Sequence, residues 1–330
     1  MSALLELRDV HVHFGLPNPD GGERLTLRAV DGVDLRIDRS ECIGLVGESG
    51  CGKSTLASVL VGLLAPTSGS VEFDAGAVSA ARSRATRRRI QMVFQDPASS
   101  LNPRRRVRSV LAELIKFHDL VPAAGMNSAL RGLMEMVGLP ARVLDARPRE
   151  LSGGQRQRVA VARALAVQPE VLVADEAVSA LDVSAQAKVI NLLADLRSEL
   201  GLTLVFISHD LGVVRALCER VVVMYLGRIV EDAPSDEFFN GPQHPYAQAL
   251  LRAVPEIGRA RSSSGPQRPV LEGEPVSALS LGEGCRFHDR CPVSLPTCHT
   301  DDPQPIVVGR HRVACVRAFE SVAASVPQSD

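Results

Sequence analysis

Gly47-Glu48-Ser49-Gly50-Cys51-Gly52-Lys53-Ser54 stands between a strand pattern and a helix pattern. Before it runs Cys42-Ile-Gly-Leu-Val46, a short apolar run of the kind buried in parallel sheets. After it, Thr55 to Leu64 sets Leu56, Val59, Leu60, Leu63 and Leu64 on one helical face. Strand, glycine-rich loop and helix are the setting in which Gly-x-x-x-x-Gly-Lys-Ser grips phosphates. Glycine lets successive backbone N–H groups turn inward, and the helix N-terminus adds positive potential. Lys53 then reaches the β- and γ-phosphates of a nucleoside triphosphate, and Ser54 sets its hydroxyl on Mg²⁺. Gly47 through Thr55 is the expected phosphate cradle.

Two more apolar runs end in chemistry. Val171 to Ala174 closes on Asp175-Glu176, where Asp175 suits the outer coordination of Mg²⁺ and Glu176 is placed to polarise an attacking water. Thr203 to Ile207 closes on Ser208-His209-Asp210. In an open parallel sheet the carboxyl ends of strands line the ligand crevice, so His209 is expected near the γ-phosphate. Leu151-Ser152-Gly153-Gly154-Gln155 opens a helix running to Val167: Ser152 is an N-cap, and the two glycines permit close backbone approach at its positive end.

With these pieces in this order, the chain resembles the ATP-binding subunit of an ABC transporter over about residues 4 to 255. The resemblance implies an α/β P-loop NTPase core with a small antiparallel β subdomain and an inserted helical subdomain. Leu151 to Gln155 is similar to the family's signature sequence, which caps the γ-phosphate held by an opposing subunit. The implied partner is therefore a second ABC ATPase, usually a distinct homologue. Phe14 resembles the aromatic that stacks on adenine. Gln95, after the strand Ile90 to Phe94, resembles the glutamine that touches Mg²⁺ and relays to the membrane partner. Asp182 resembles the acid that meets the other subunit across the seam. Ala177-Val178 departs from the Pro-Thr common after the catalytic glutamate, but Glu176 and Asp182 remain, so hydrolysis is expected.

Gln95-Asp-Pro-Ala-Ser-Ser-Leu-Asn-Pro103, His244-Pro-Tyr-Ala-Gln-Ala-Leu-Leu251 and a cysteine-bearing tail resemble the oligopeptide/dipeptide importer branch. That resemblance implies import of short peptides or related small solutes, two transmembrane permeases and, indirectly, an extracytoplasmic solute-binding protein. Cys285, Cys291, Cys298 and Cys315 are separated by five, six and sixteen residues. Cytosolic thiols rarely form lasting disulfides, and these spacings are wider than common zinc pairs. Relatives in the branch carry a [4Fe–4S] cluster in a similar tail; zinc and free thiols are the alternatives. Cys42, Cys51 and Cys218 fall in core or phosphate-loop elements.

The formal net charge of −1 carries no global footprint for nucleic acid, which counts against a soluble ABC ATPase working on DNA or ribosomes. An export subunit would share the same engine; the His244-Pro-Tyr segment and the tail argue against it by resemblance. Glu6, Arg8 and Asp9 interrupt any signal peptide, and no apolar run reaches spanning length. A peripheral location at the cytoplasmic face of the cell membrane is expected. The expected organisation is an ATPase domain over 1–255, a linker over 256–269 that is polar and rich in Ser, Gly and Pro, and a tail over 270–330. Within the first, about 104–150 is helical, with Leu111, Leu114, Ile115 and Phe117, then Leu130, Leu133, Met134 and Val137, in stripes. Arginines cluster at 82, 84 and 87–89 and at 104–106, the pattern of a solvated helix face; the second cluster follows the glutamine loop, and its alternative reading is a dock for a short helix of the membrane subunit.

Overall fold

The computed structural model describes residues 3–19, 21–74, 76–77, 84–96, 100–253, 278–279 and 281–318. The expected linker over 256–269, Arg82 and part of the glutamine-loop extension lie outside the described residues.

Among the described residues two sheets form. The strands are β1 (Leu5–Leu16), β2 (Leu25–Ile37), β3 (Cys42–Val46), β4 (Ser68–Phe73), β5 (Gly76–Ala77), β6 (Ile90–Val93), β7 (Val171–Asp175), β8 (Thr203–Ile207), β9 (Arg220–Tyr225), β10 (Arg228–Pro234), β11 (Ile306–Val308) and β12 (His311–Val313). The smaller sheet runs β2-β1-β4-β5 and is antiparallel. The larger runs β11-β12-β10-β9-β3-β8-β7-β6. Its β9-β3-β8-β7-β6 stretch is parallel, so the chain leaves β3, β8, β7 and β6 at one edge.

Every residue of β3, β7 and β8 is buried, which is why these strands read as unbroken apolar runs. Their alternate side chains feed two cores. Ile43, Leu45, Val173, Val205 and Ile207 pack with the small sheet and helix α1 (Lys53–Leu60). Leu172, Ala174, Leu204 and Phe206 pack with the helical side. After α2 (Arg84–Arg89), that side holds α3 (Val107–Phe117), α4 (Met126–Met136), α5 (Gly153–Leu165), α6 (Val183–Leu200) and α7 (Leu211–Leu217). The segment between α2 and α5 carries short 3₁₀ turns at 123–125, 141–145 and 148–150, so the apolar stripes there belong to two helices and their connecting turns. α1 ends earlier than its apolar pattern: Gly62, at φ 72°, turns the chain out of the helix before Leu63.

The tail is welded to the core. Its β12 pairs antiparallel with β10, so residues 306–313 extend the large sheet. Phe287 is 1% exposed and packs with Tyr225 and Tyr246 at ring-centroid distances of 5.3 and 5.4 Å. Burying such a ring contributes roughly 1.5–3 kcal/mol. The tail thus borrows the core of the main sheet.

The His244-Pro-Tyr segment forms the other half of this seam, at the start of α9 (Pro245–Ala253), which follows α8 (Ser235–Asn240). His244 is buried and accepts a hydrogen bond at Nδ1 from the Tyr246 N–H at 3.0 Å. Burial pushes its pKa down to about 3, so the ring is neutral, with the Ala314 backbone of the tail as its other partner. Glu231, fully buried on β10, accepts from the backbone N–H of Gln243 and His244 and lies 2.7 Å from Nδ1 of tail His311. A buried carboxylate survives only with such partners.

Candidate nucleotide site

The phosphate loop leaves β3 between β9 and β8, the middle of the large sheet. Two of its glycines are sterically required. A Cβ at Gly47, where φ is 151°, would lie 2.2 Å from the Met224 carbonyl oxygen and 2.8 Å from Cys51 Sγ. A Cβ at Gly52, where φ is 108°, would lie 2.2 Å from the Ala29 carbonyl oxygen. Lys53 is folded back, its Nζ donating to the carbonyls of Gly47 and Glu48, each at 2.8 Å. The ammonium is thus held over the loop with two exchangeable acceptors.

A cavity of about 300 Å³ opens at this point, lined by Phe14, Ser49, Gly50, Gly52, Lys53, Ser54, Thr55, Gln95 and Glu176. Leu27, Arg28, Ala29, Leu226, Gly227 and Ala278 complete the wall. Phe14 is 37% exposed at the rim, a free apolar ring that a purine can cover. Ser54 Oγ donates to Asp175 Oδ1 at 3.2 Å. Burial pushes the Asp175 carboxyl above its usual range; the Ser54 hydroxyl partly offsets this, and Glu176 adds like-charge repulsion. Gln95 Nε2 donates to Glu176 Oε2 at 2.8 Å, and His209 Nδ1 stands 3.5 Å from Glu176 Oε1. Glu176 has φ 44°, a left-handed conformation costly for a side chain with a Cβ. That turn directs the carboxylate off the strand end, while its N–H donates to the Ile207 carbonyl at 3.0 Å.

The structure therefore gathers Phe14, Ser49, Gly50, Gly52 to Thr55, Gln95, Asp175, Glu176 and His209. It separates others. Cys51 is buried beneath the loop, and burial raises its thiol pKa, so only its backbone belongs to the cradle. Glu48 turns away from the cavity toward Arg290 of the tail. Leu151 to Gln155 and Asp182 do not line the cavity. Ser152 caps α5, accepting from the Gln155 N–H at 3.3 Å while Gln155 Oε1 accepts from the Ser152 N–H at 3.0 Å. Asp182 caps α6 through the Ala185 N–H at 2.9 Å. A Cβ on Gly154 would lie 3.0 Å from Ala185 Cβ, so this glycine also lets α5 approach α6.

A second cavity, about 510 Å³, lies beside the glutamine loop between the end of α1, β6 and α5. Val61, Leu63, Met92 and Phe94 give it an apolar floor, with Arg87 and Arg163 at its wall. Several arginines of the two clusters are already engaged: Arg89 with Asp74 and Glu170, Arg105 with Glu113, and Arg84 over the Phe117 ring. Among the described residues no helix is long and apolar enough to cross a membrane.

Sequence reasoning missed Arg28, Leu226 and Gly227 in the wall and Tyr246, Tyr225 and Arg290 beneath the loop. Of these only Tyr246 carried a signal, as the polar aromatic of the His244-Pro-Tyr segment, whose hydroxyl needs a partner when buried.

Comparison with known proteins places the chain in a family. Residues 30–179 match the family described as ABC transporter, and residues 230–298 match the one described as oligopeptide/dipeptide transporter, C-terminal region. The chain is 45% identical to the oligopeptide transport ATP-binding protein AppF of Bacillus subtilis, over 94% of this chain and 96% of that protein. It is 42% identical to the oligopeptide transport ATP-binding protein OppF of Salmonella typhimurium, over 95% and 96%. A putative peptide import ATP-binding protein of Brucella abortus is 48% identical over 90% and 88%. Among solved structures, an ATP-binding cassette in a dimeric post-hydrolysis state bound to ADP and Pi superposes with a TM-score of 0.61 at 31% identity, covering 70% of this chain and 98% of that one.

Proposed function

This chain belongs to the ABC transporter family, within its oligopeptide/dipeptide branch, and from that membership we propose how its site turns ATP hydrolysis into peptide import. It is the ATP-hydrolysing subunit of an importer for di- and oligopeptides or related small solutes. Two transmembrane permeases and an extracytoplasmic solute-binding protein complete the transporter, and the chain works at the cytoplasmic face of the membrane by attachment to them. The observation that carries this reading is one sheet edge that joins Lys53, Ser54, Gln95, Asp175 and Glu176, on a chain whose C-terminal region matches that branch. The same match weighs against the export and nucleic-acid readings. Residues 1–255 act as the ATPase domain, about 104–150 as its helical subdomain and 270–330 as the tail.

ATP stacks its base on Phe14 and lays its phosphates across Gly47 to Thr55, where Lys53 exchanges loop carbonyls for phosphate oxygens. Mg²⁺, when bound, would neutralise phosphate charge, and Ser54, Gln95 and Asp175 would hold it. The donors fit: they are hard oxygens, and burial holds the Asp175 carboxyl above its usual range, with Ser54 and Lys53 offsetting this only in part. Glu176 orients the attacking water and His209 contacts the γ-phosphate. The protein supplies position and charge stabilisation, since phosphoryl transfer asks little covalent chemistry of it. A second ATPase subunit, a distinct homologue, closes over the nucleotide, and each Leu151–Gln155 helix tip caps the other's γ-phosphate. Supporting this, Ser152 and Asp182 stand outside the chain's own cavity. Closure moves the permeases through the cavity beside Gln95, and hydrolysis reopens the pair.

The test is reconstitution. Coexpression with two polytopic permeases should bring the chain to the membrane, and peptide-loaded binding protein should stimulate its ATP hydrolysis. Hydrolysis indifferent to peptide, together with nucleic-acid binding abolished by salt, would count against transport.

For the tail, the [4Fe–4S] reading rests on the four thiols. Cys285 is pushed up to about 11 by burial first, then by the neighbouring Cys298, Cys315 and Cys291, and burial and like neighbours also raise Cys291 and Cys315. The charges of Cys298, Cys315 and Cys291 act on Cys285, so the four sulfurs stand in one neighbourhood. Cys285, Cys291, Cys298 and Cys315 would hold that cluster as a structural centre. Anaerobic purification should give a brown protein with iron and sulfide; a colourless protein holding zinc, or no metal, removes the cluster.

A further inference from the structure

We propose that Arg290 is a positioning residue for the phosphate loop: it cancels the Glu48 charge beside the triphosphate and fixes the backbone that Lys53 grips. This rests on the nucleotide-site reading above.

Glu48 is held on three sides. Its N–H donates to the Tyr246 hydroxyl at 2.8 Å, and its carbonyl accepts from Lys53 Nζ at 2.8 Å. Its carboxylate takes both prongs of Arg290, Nη1 to Oε2 at 2.8 Å and Nη2 to Oε1 at 2.9 Å. The Arg290 side chain is 6% exposed, and its Nη1 also reaches the Tyr225 hydroxyl at 3.3 Å. The two partners are 242 residues apart, so the tail reaches back to the chemical centre of the first domain. Arg290 ends the short turn His288–Arg290, whose preceding residue is the core-anchored Phe287. The fork is therefore aimed by packing, not by a free loop.

A carboxylate within the phosphate loop is an odd choice for a site that receives several negative charges. Paired with Arg290 it contributes no net charge; unpaired, it repels the incoming nucleotide. Glu48 also carries one of the two carbonyls on which Lys53 rests, so freeing its side chain loosens the seat of that ammonium. Both effects act on nucleotide binding before and during the reaction alike, which raises KM and spares kcat. A bidentate guanidinium matches a carboxylate where an ammonium supplies charge without the fork.

The experiment measures ATP hydrolysis and fluorescent-nucleotide binding in the assembled transporter. Arg290→Gln should raise KM for MgATP by about tenfold, between the bulk-water and the near-surface strength of a close charge pair, with kcat within about twofold. The deficit should shrink as salt rises, because it is Coulombic. Arg290→Lys keeps the charge but not the fork, so it should leave KM raised by about two- to threefold. A purely structural staple would instead lower the folded fraction, so apparent kcat would fall and KM stay put. Lys53→Ala separates the two readings. If it leaves ATP binding intact, the nucleotide-site reading has failed. If it abolishes binding while both Arg290 variants keep the original KM, the positioning role is overturned. Should Arg290→Gln not fold, Arg290→Lys decides: a raised KM at constant kcat supports the role, and an unchanged KM refutes it.

Discussion

Glu176→Gln is expected to bind MgATP about as tightly as the unsubstituted protein, to hydrolyse it roughly 10²- to 10⁴-fold more slowly, and to accumulate as a closed pair of subunits. The magnitude is that of removing a positioned base. Glu176 accepts from Gln95 and faces His209, but it makes no contact with Lys53, Ser54 or the phosphate-loop backbone among its hydrogen bonds and ion pairs. The amide keeps size and one acceptor oxygen, so the cradle is unaltered and affinity survives. What is lost is the charge that orients and polarises water. If hydrolysis reopens the dimer, a chain that binds but does not hydrolyse stays shut, and size-exclusion chromatography with MgATP reads this directly. Near-normal turnover in Glu176→Gln would remove this residue from its assigned role and shift attention to His209, whose exposed ring stands 3.5 Å from Glu176 Oε1.

The strands at this edge were readable because parallel strands buried on both faces leave continuous apolar runs. Cys42 to Val46, Val171 to Ala174 and Thr203 to Ile207 each announce themselves, and each is followed at once by the polar residues that the fold brings together at one sheet edge. The left-handed turn at Glu176 was not readable: it is a backbone state with no residue-type signature when glycine is absent. The tail was the larger omission. Ile306–Val308 and His311–Val313 are three residues each, too short for an alternating pattern to declare itself, and they become strands only because β10 offers an edge. Arg290 and Glu48 had no local cue at all, since a pair spanning so much chain is visible only once Phe287 has found Tyr225 and Tyr246. The His244-Pro-Tyr segment was noticed as a mark of its branch. Its physical work is different: a neutral buried imidazole and a phenol that tie tail, sheet and phosphate loop together.

Ser152→Ala is expected to damage the pocket of the opposing subunit and spare its own, with a loss of roughly 10²- to 10³-fold in that pocket, the scale of deleting one preorganised donor. The argument is geometric. Ser152 and the helix tip it caps do not line the cavity formed by Lys53 and Ser54, so any nucleotide they touch is held by another chain. The capping bond itself is worth only about 1 kcal/mol to the helix, and Gln155 still bonds the Ser152 N–H, so folding is retained. Two assemblies with the same pair of defects then give opposite outcomes. With Ser152→Ala on this chain and the phosphate-loop lysine of the partner replaced by Ala, both defects fall on the partner's pocket, and about half of the activity should remain if the pockets act independently. With Ser152→Ala and Lys53→Ala together on this chain, each pocket carries one defect, and hydrolysis should be nearly abolished. If Ser152 served its own nucleotide, the order would reverse, because the second assembly would then leave the partner's pocket whole and the first would damage both. Pulse measurement of ATP hydrolysis in the two purified assemblies distinguishes a shared nucleotide from a private one.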